Sequence, residues 1–207
     1  TMALVVVLSV FNGFHDLIAS FFTNFDPQIE IVPARGKTMP ADAIELQKVR
    51  NMPQVKVSTA CVEDLALAIY HSKQAMVHVK GVEDNFSDLT HIDKILYGNG
   101  VFSLHAGNLE YGIPGIRLAQ SLGMGSAFDG FLRIYAPMKN GQLDLSDPTS
   151  GFVTDSLMSP GVIFVVNQPK YDKDYLLTSI TFARNLFGQQ GMMSSLELKL
   201  KAGADVA

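Results

Sequence analysis

Gln54-Val-Lys-Val-Ser-Thr-Ala-Cys-Val62 and Ala75-Met-Val-His-Val-Lys-Gly-Val82 are the stretches on which the fold turns. The first alternates apolar or small residues through Val55, Val57, Thr59 and Cys61, the second through Val77 and Val79. A period of two puts one set of side chains on one face of a sheet, so both predict strands half-buried on one face. Leu65–His71 between them predicts a third strand, with the acidic doublets Glu63-Asp64 and Glu83-Asp84 falling where turn carboxylates are expected. Cys61 is the only cysteine, which excludes an internal disulfide and any multi-cysteine zinc pattern. Its apolar, alternating setting predicts a small buried core residue.

Outward from these strands the elements follow. Pro40 suits the first position of a short helix through about Arg50. Residues 84–112 lose any clear period and are punctuated by Gly98, Gly100, Gly107 and Gly112, which predicts a loop-rich segment. Pro114–Leu122 predicts a helix stopped by Gly123, and Asp129–Pro137 a strand followed by the turn signal Lys139-Asn140-Gly141. Gln142–Ser150 is polar and predicts an exposed loop, whereas the wholly apolar Val162–Val166 predicts a central strand buried on both faces. Asp172–Phe187 reads as one helix starting at Asp172 or Asp174, with Leu176, Ile180, Ala183 and Phe187 inward and Gly188 as stop. Ser194–Lys201 closes the chain's last element as a strand, Leu196, Leu198 and Leu200 buried, Glu197, Lys199 and Lys201 wet. The order predicts an α+β core interrupted by a second lobe.

The 207 residues are 47% hydrophobic and 17% charged, with a net charge of −4. Mean hydropathy is +0.18 and the pI about 5.7. Scattered basic residues and an acidic balance argue against a phosphate-tracking surface, so no nucleic acid is expected as a partner. Met2–Phe25 carry almost all of the apolar excess, with Asp16 their only charge. Met2–Phe11 would be about 15 Å long as a helix, half of a bilayer's hydrocarbon core of about 30 Å. Phe14, Leu17, Ile18, Phe21, Phe22 and Phe25 then form one helical stripe that ends at Pro27. Two readings stand: a buried strand followed by a core helix, or the outer end of a transmembrane helix followed by an amphipathic one.

Chemistry-bearing patterns are few. His15, His71, His78, His91 and His105 include no pair at the i, i+4 spacing of two ligands on a helix face, so no metal is expected. Gly123-x-Gly125 follows a helix and has Phe128 where a dinucleotide fingerprint needs glycine, and Gly36-Lys37 has Ile31 where a phosphate loop needs one. With no nucleophile elbow either, the expectation is no catalytic residue, no cofactor and no enzyme activity.

Leu8-Ser-Val-Phe-Asn-Gly-Phe14 resembles the "LSVMNGF" signature where the first transmembrane helix leaves the membrane in lipoprotein-releasing (LolC/LolE-like) ABC transporter permeases, within the MacB/FtsX-type superfamily. Val77-His-Val-Lys-Gly-Val82 resembles that family's "VRGI" strand, Ile116-Arg-Leu-Ala-Gln-Ser-Leu-Gly-Met124 its "GxxLAxxLGV" stretch, and Tyr171-Asp-Lys-Asp-Tyr175 the Tyr-Asp that opens its last periplasmic helix. The resemblance implies a MacB-type periplasmic core: the end of the first transmembrane helix at 1–13, a Porter-like subdomain at 14–83 and 170–207, and an inserted β-rich Sabre-like subdomain at 84–169. It implies a place in a bacterial inner membrane with this domain facing the periplasm, a cytoplasmic ATPase partner, and a second permease subunit in a homo- or heterodimer. Lipoprotein or another amphiphile, and a periplasmic carrier, are the further partners implied.

The family's carrier-binding hook has a Pro-Ser-Gln-Arg-like stretch before an "FxVxG" strand. The corresponding Pro137–Ser150 has Asp147-Pro-Thr-Ser150 without arginine, and Phe152-Val-Thr-Asp-Ser156 lacks the glycine. No hook residue is therefore carried over. Two alternatives stay open: an FtsX-like module that recruits a periplasmic partner such as a cell-wall hydrolase, and a stand-alone soluble α+β protein.

Overall fold

A computed structural model describes residues 25–138 and 151–203. The readings of Met2–Phe11, of the stripe from Phe14 to Phe22, and of Lys139-Asn140-Gly141 and the polar loop after it lie outside those residues. In chain order the elements are β1 (Ile29–Ile31), β2 (Met39–Pro40), α1 (Ile44–Arg50), β3 (Val55–Tyr70), β4 (Lys73–Val82), α2 (Phe86–Leu89), β5 (Leu96–Gly98), β6 (His105–Ala106) and β7 (Leu109–Glu110). They continue with β8 (Ile113–Pro114), α3 (Ile116–Leu122), β9 (Leu132–Pro137), β10 (Phe152–Leu157), β11 (Val162–Phe164), α4 (Pro169–Asp174), β12 (Tyr175–Ser179), α5 (Ile180–Phe187), β13 (Met192–Met193) and β14 (Ser195–Leu200).

One sheet organises the chain, with strand order β1-β14-β3-β4-β12-β8 and the β9–β10 pair added beside β3. β12 runs parallel to β4; the other neighbours are antiparallel. β3 is long enough to take two neighbours in succession along one edge. Its first half, through Cys61, pairs with β14, and its last turn of residues, Leu67–Ile69, pairs with β9. The two strands expected at 54–62 and 65–71 are thus a single strand of 16 residues. Glu63 and Asp64 mark no turn; they sit where the outer neighbour changes from β14 to β9.

A second departure lies at Asp172–Phe187, which is not one helix. α4 ends at Asp174, the chain extends through β12, and α5 starts only at Ile180. All five residues of β12 are buried, so Tyr-Leu-Leu-Thr-Ser is a parallel strand covered on both faces. The Ser179 hydroxyl accepts from the Phe182 N–H at 3.0 Å, so the cap is Ser179 instead of Asp172 or Asp174. Asp172 instead accepts from the Val166 N–H at 2.7 Å.

Smaller differences have similar causes. Val162–Phe164 is buried but forms its ladder with β5, outside the main sheet, touching that sheet's β8 end through a single bridge from Phe164 to Gly115. Pro40 pairs with Met192, and the following helix begins at Ile44. The segment at 84–112 contains α2 and a 3-10 turn at Ile92–Ile95 among its loops. The helix stopped by Gly123 is present, with that glycine left-handed at φ 71°, but it begins at Ile116, since Pro114 is taken into β8 beside β12. Cys61 is buried as expected.

Alternation divides the core. One face carries Ala60, Val62, Ala66, Ala68, Val77, Val79, Leu176, Leu196 and Leu198 against α3 and α5. The other carries Cys61, Val82, Tyr175 and Leu177 against Phe25, Phe86, Phe164 and neighbours from the 84–106 and 162–166 stretches.

Candidate functional site

The second face contains charge. Lys80 on β4 is 6% exposed and Glu197 on β14 is 1% exposed, two strands apart with β3 between them. The Lys80 Nζ lies 2.6 Å from Glu197 Oε1. Glu197 was expected on a wet face; the sequence alternation is right, but the second core covers that face. The ammonium also sits over the rings of Phe25 and Phe86, 5.4 and 5.6 Å from their centroids. Burial works against the Lys80 charge, but the Glu197 carboxylate outweighs it and holds the ammonium well above the usual lysine range. Cys61, on β3 between the pair, has its thiol pushed well up by burial and then by the Glu197 charge.

Phe25 and Asp26 bring the incoming chain to this cluster. The Phe25 ring is fully buried and lies 5.1 Å from Phe164, 4.6 Å from Tyr171 and 5.9 Å edge-on from Tyr175, centroid to centroid. Tyr171 Oη donates to Asp26 Oδ1 at 2.5 Å, and burial together with that acceptor pushes the phenol pKa up. Tyr175 Oη donates to Glu63 Oε1 at 2.9 Å, and burial followed by the Glu63 charge raises it likewise. His78 Nδ1 lies 3.2 Å from the same Glu63 oxygen while its ring stacks on Tyr175 at 5.0 Å.

The two ends of the described chain meet here. β1 is antiparallel to β14, with Ile29 opposite Leu198 and Ile31 opposite Leu196, so the chain arrives and departs at the same end of the sheet. Gln28 Oε1 accepts from the Leu200 N–H at 2.8 Å across that junction. Lys80 is therefore a common anchor: it pairs with the departing strand through Glu197 and faces the arriving segment through Phe25.

Nothing in this arrangement sets a nucleophile beside a base at a cleft. Among the described residues no group of three or more His, Cys, Asp and Glu side chains could hold a metal ion. Of the histidines weighed in the sequence, His71 takes a left-handed conformation at φ 52° in the turn between β3 and β4, while His78 points into the Tyr175–Glu63 network. They are not brought together as a pair. The Lys80–Glu197 pair had no local signal; the two residues are 117 positions apart. Phe25, in contrast, was readable as the last member of the aromatic stripe.

No family model and no curated protein matches the chain. Its fold is similar to that of the extracellular domain of YknZ, a noncanonic ABC-type transporter from Gram-positive bacteria: TM-score 0.53 at 15% identity, over 82% of this chain and 77% of that one. It is also similar to the periplasmic region of MacB from Actinobacillus actinomycetemcomitans: TM-score 0.52 at 6% identity, over 82% and 75%. At such identities the likeness is one of fold, and the expected α+β architecture of the MacB-type periplasmic core is the one observed.

Proposed function

We propose that this chain is the extracytoplasmic domain of an ABC-type transporter permease, set between two membrane-spanning segments and relaying their movements to a cargo or partner. The observation that carries the reading is the junction of arriving and departing chain. A domain hung from two adjacent helices needs its ends side by side, and here β1 and β14 are hydrogen-bonded neighbours pointing the same ends outward. Displacing one membrane segment against the other would load that junction first, and Lys80 connects it to β4. The fold likeness to two transporter domains supports the same reading.

In this reading ATP is hydrolysed by a separate cytoplasmic subunit, a second permease subunit completes the transporter, and the domain itself performs no catalytic step and needs no cofactor. The resemblance in the sequence favours lipoprotein or another amphiphile as the cargo, at a bacterial inner membrane. No helix among the described residues is long and apolar enough to cross a membrane, so the spans would come from chain outside them.

The test is purification of the full-length gene product from membranes. Co-purification of a phosphate-loop ATPase, with ATP hydrolysis by the complex, supports the reading. A gene product that stays in the soluble fraction with no ATPase overturns it. Capture of a lipoprotein carrier by the domain would support the lipoprotein branch, and capture of a cell-wall hydrolase would overturn that branch in favour of partner recruitment.

A further inference from the structure

Toward the β3–β4 turn, β10, β9, β3 and β4 lie side by side with one face unburied. In register, Thr154, Tyr135, Leu67 and Met76 form one row across these strands, and Ser156, Arg133, Ile69 and Gln74 the next row toward the turn. Phe152 beside Pro137, and Leu65 beside His78, continue the face on the other side of the middle row. None of these side chains is buried, and Met76 is 59% exposed. On the opposite side of the same strands Ala66, Ala68, Val77 and Ile134 are all buried. The rings that cover the rest of the second face end at Tyr175, which stacks on His78. Arg133 and His78 supply the titratable groups of the rows, and Glu63 at their margin is engaged with His78 and Tyr175.

The position of the face restricts what can cover it. β14 leaves at Leu200 beside Val55, the start of β3, whereas the unburied rows lie toward the other end of that strand. Two copies held in one membrane have their exit ends on the same side. The two-fold axis that stacks this face on itself and keeps the exits together runs along the strands. It lays β10 over β4 of the second copy and β9 over β3. Tyr135 then meets Leu67, Thr154 meets Met76, Ser156 meets Gln74 and Phe152 meets His78, each contact made twice. Arg133 falls over Ile69, so no like charges are opposed.

We infer that this face pairs with the same face of a second copy, the two sheets stacked with their strands aligned to within about 30°. The direction of the axis rests on the transporter reading. Strand spacings of about 4.8 Å and rises of about 3.4 Å per residue give roughly 300 Å² of sheet per copy. Stable complexes bury about 1,200 Å² or more in total, so the pairing needs the shared membrane to bring the copies together. A contact of that size can part and re-form as the membrane segments move.

The test uses the full-length gene product in its own membranes, co-expressed as two copies with tags of different size. Cys61 is buried, and the parent protein serves as the blank for a short bismaleimide. Sheets stacked about 10 Å apart put Thr154→Cys of one copy opposite Met76→Cys of the other, whereas two Met76 positions lie roughly 17 Å apart. The expected result is several-fold more linked product from that mixed pair than from either variant alone, and none above the blank from Ile44→Cys, 69% exposed on α1. No product from the mixed pair, equal product from every pairing, or Met76→Cys linked to a different chain would overturn it. An unlinked mixed pair in a complex that contains the ATPase defeats this inference alone. A linked pair in a product without the ATPase supports it and defeats the transporter reading.

Discussion

The two faces of the central sheet are built from the same four strands and solve burial differently. On one face, β3, β4, β12 and β14 offer mostly small and aliphatic groups, with Tyr70 at the end of β3, and α3 and α5 close onto them. Approach is so tight at Gly81 that a Cβ there would lie 2.3 Å from Ala183 Cβ and 2.9 Å from the Ser179 carbonyl oxygen. On the other face the same strands carry Lys80, Glu197, Glu63, Thr59 and Cys61, covered by aromatic rings and irregular chain. Apolar burial of the first kind is non-directional and stabilises in proportion to area. The second kind is directional: a buried ammonium is tolerable only while its partners stay in place. The first face makes a rigid platform. The second makes the position of the chain's arrival and departure matter to the sheet.

The comparison can be broken most severely at the ion pair. Lys80→Ala or Glu197→Ala leaves one buried charge alone, and each is expected to cost about 3–5 kcal/mol in urea denaturation. The double variant Lys80→Met with Glu197→Leu removes both charges and is expected to recover most of that loss, the pair being no better than well-packed apolar groups. Recovery of nothing would mean that shape, not charge, governs this face. Next in size is Gly81→Ala on the apolar face, expected to cost about 1–3 kcal/mol by overpacking, with no change in its dependence on pH.

pH separates the faces further. Cys61, Tyr171 and Tyr175 all have folded pKa values raised above their unfolded ones, so the folded state holds protons that the unfolded state releases. Their contribution is fully present below the unfolded pKa values, about 8.5 for the thiol and about 10 for the phenols, and is lost as pH rises beyond them. The melting temperature is expected to fall progressively above about pH 9, and Cys61→Ala should delay the onset. Lys80 also has a raised folded pKa, so its contribution is intact across the neutral range and disappears only in strong alkali. A melting temperature that stays flat to pH 11 would contradict this reading. The smallest effect belongs to Lys37→Ala: its partner Asp64 is 3.0 Å away, but the lysine side chain is 78% exposed, and the expected change is below about 0.5 kcal/mol.

These differences also explain what could be read in the chain beforehand. The apolar face was legible because Val77 with Val79 and Leu196 with Leu198 have local alternation that needs no knowledge of neighbours. Gly123 was legible as a stop for the same local reason. β12 was not, because Leu176, Ile180 and Ala183 satisfy a helical period while the strand pairing that overrides it comes from β4, nearly a hundred residues earlier. The Glu63-Asp64 doublet suggested a turn because nothing local announces that β14 gives way to β9. Of the charged cluster, Phe25 stood out through its stripe, whereas Glu197 was placed on a wet face and nothing local marked Lys80 as buried. Their burial depends on the covering segments 84–106, whose sequence carries no period to read, and 162–166, whose apolar run reads as buried without saying which face it covers.

The central claim is that one buried ammonium ties the arriving chain to the departing strand. A double-mutant cycle of Phe25→Leu and Glu197→Gln, followed by urea denaturation, tests it most directly, since the two side chains share Lys80 as partner. The account predicts that the two losses are non-additive by about 1 kcal/mol or more; additivity within about 0.5 kcal/mol would mean that the two ends of the chain are held independently.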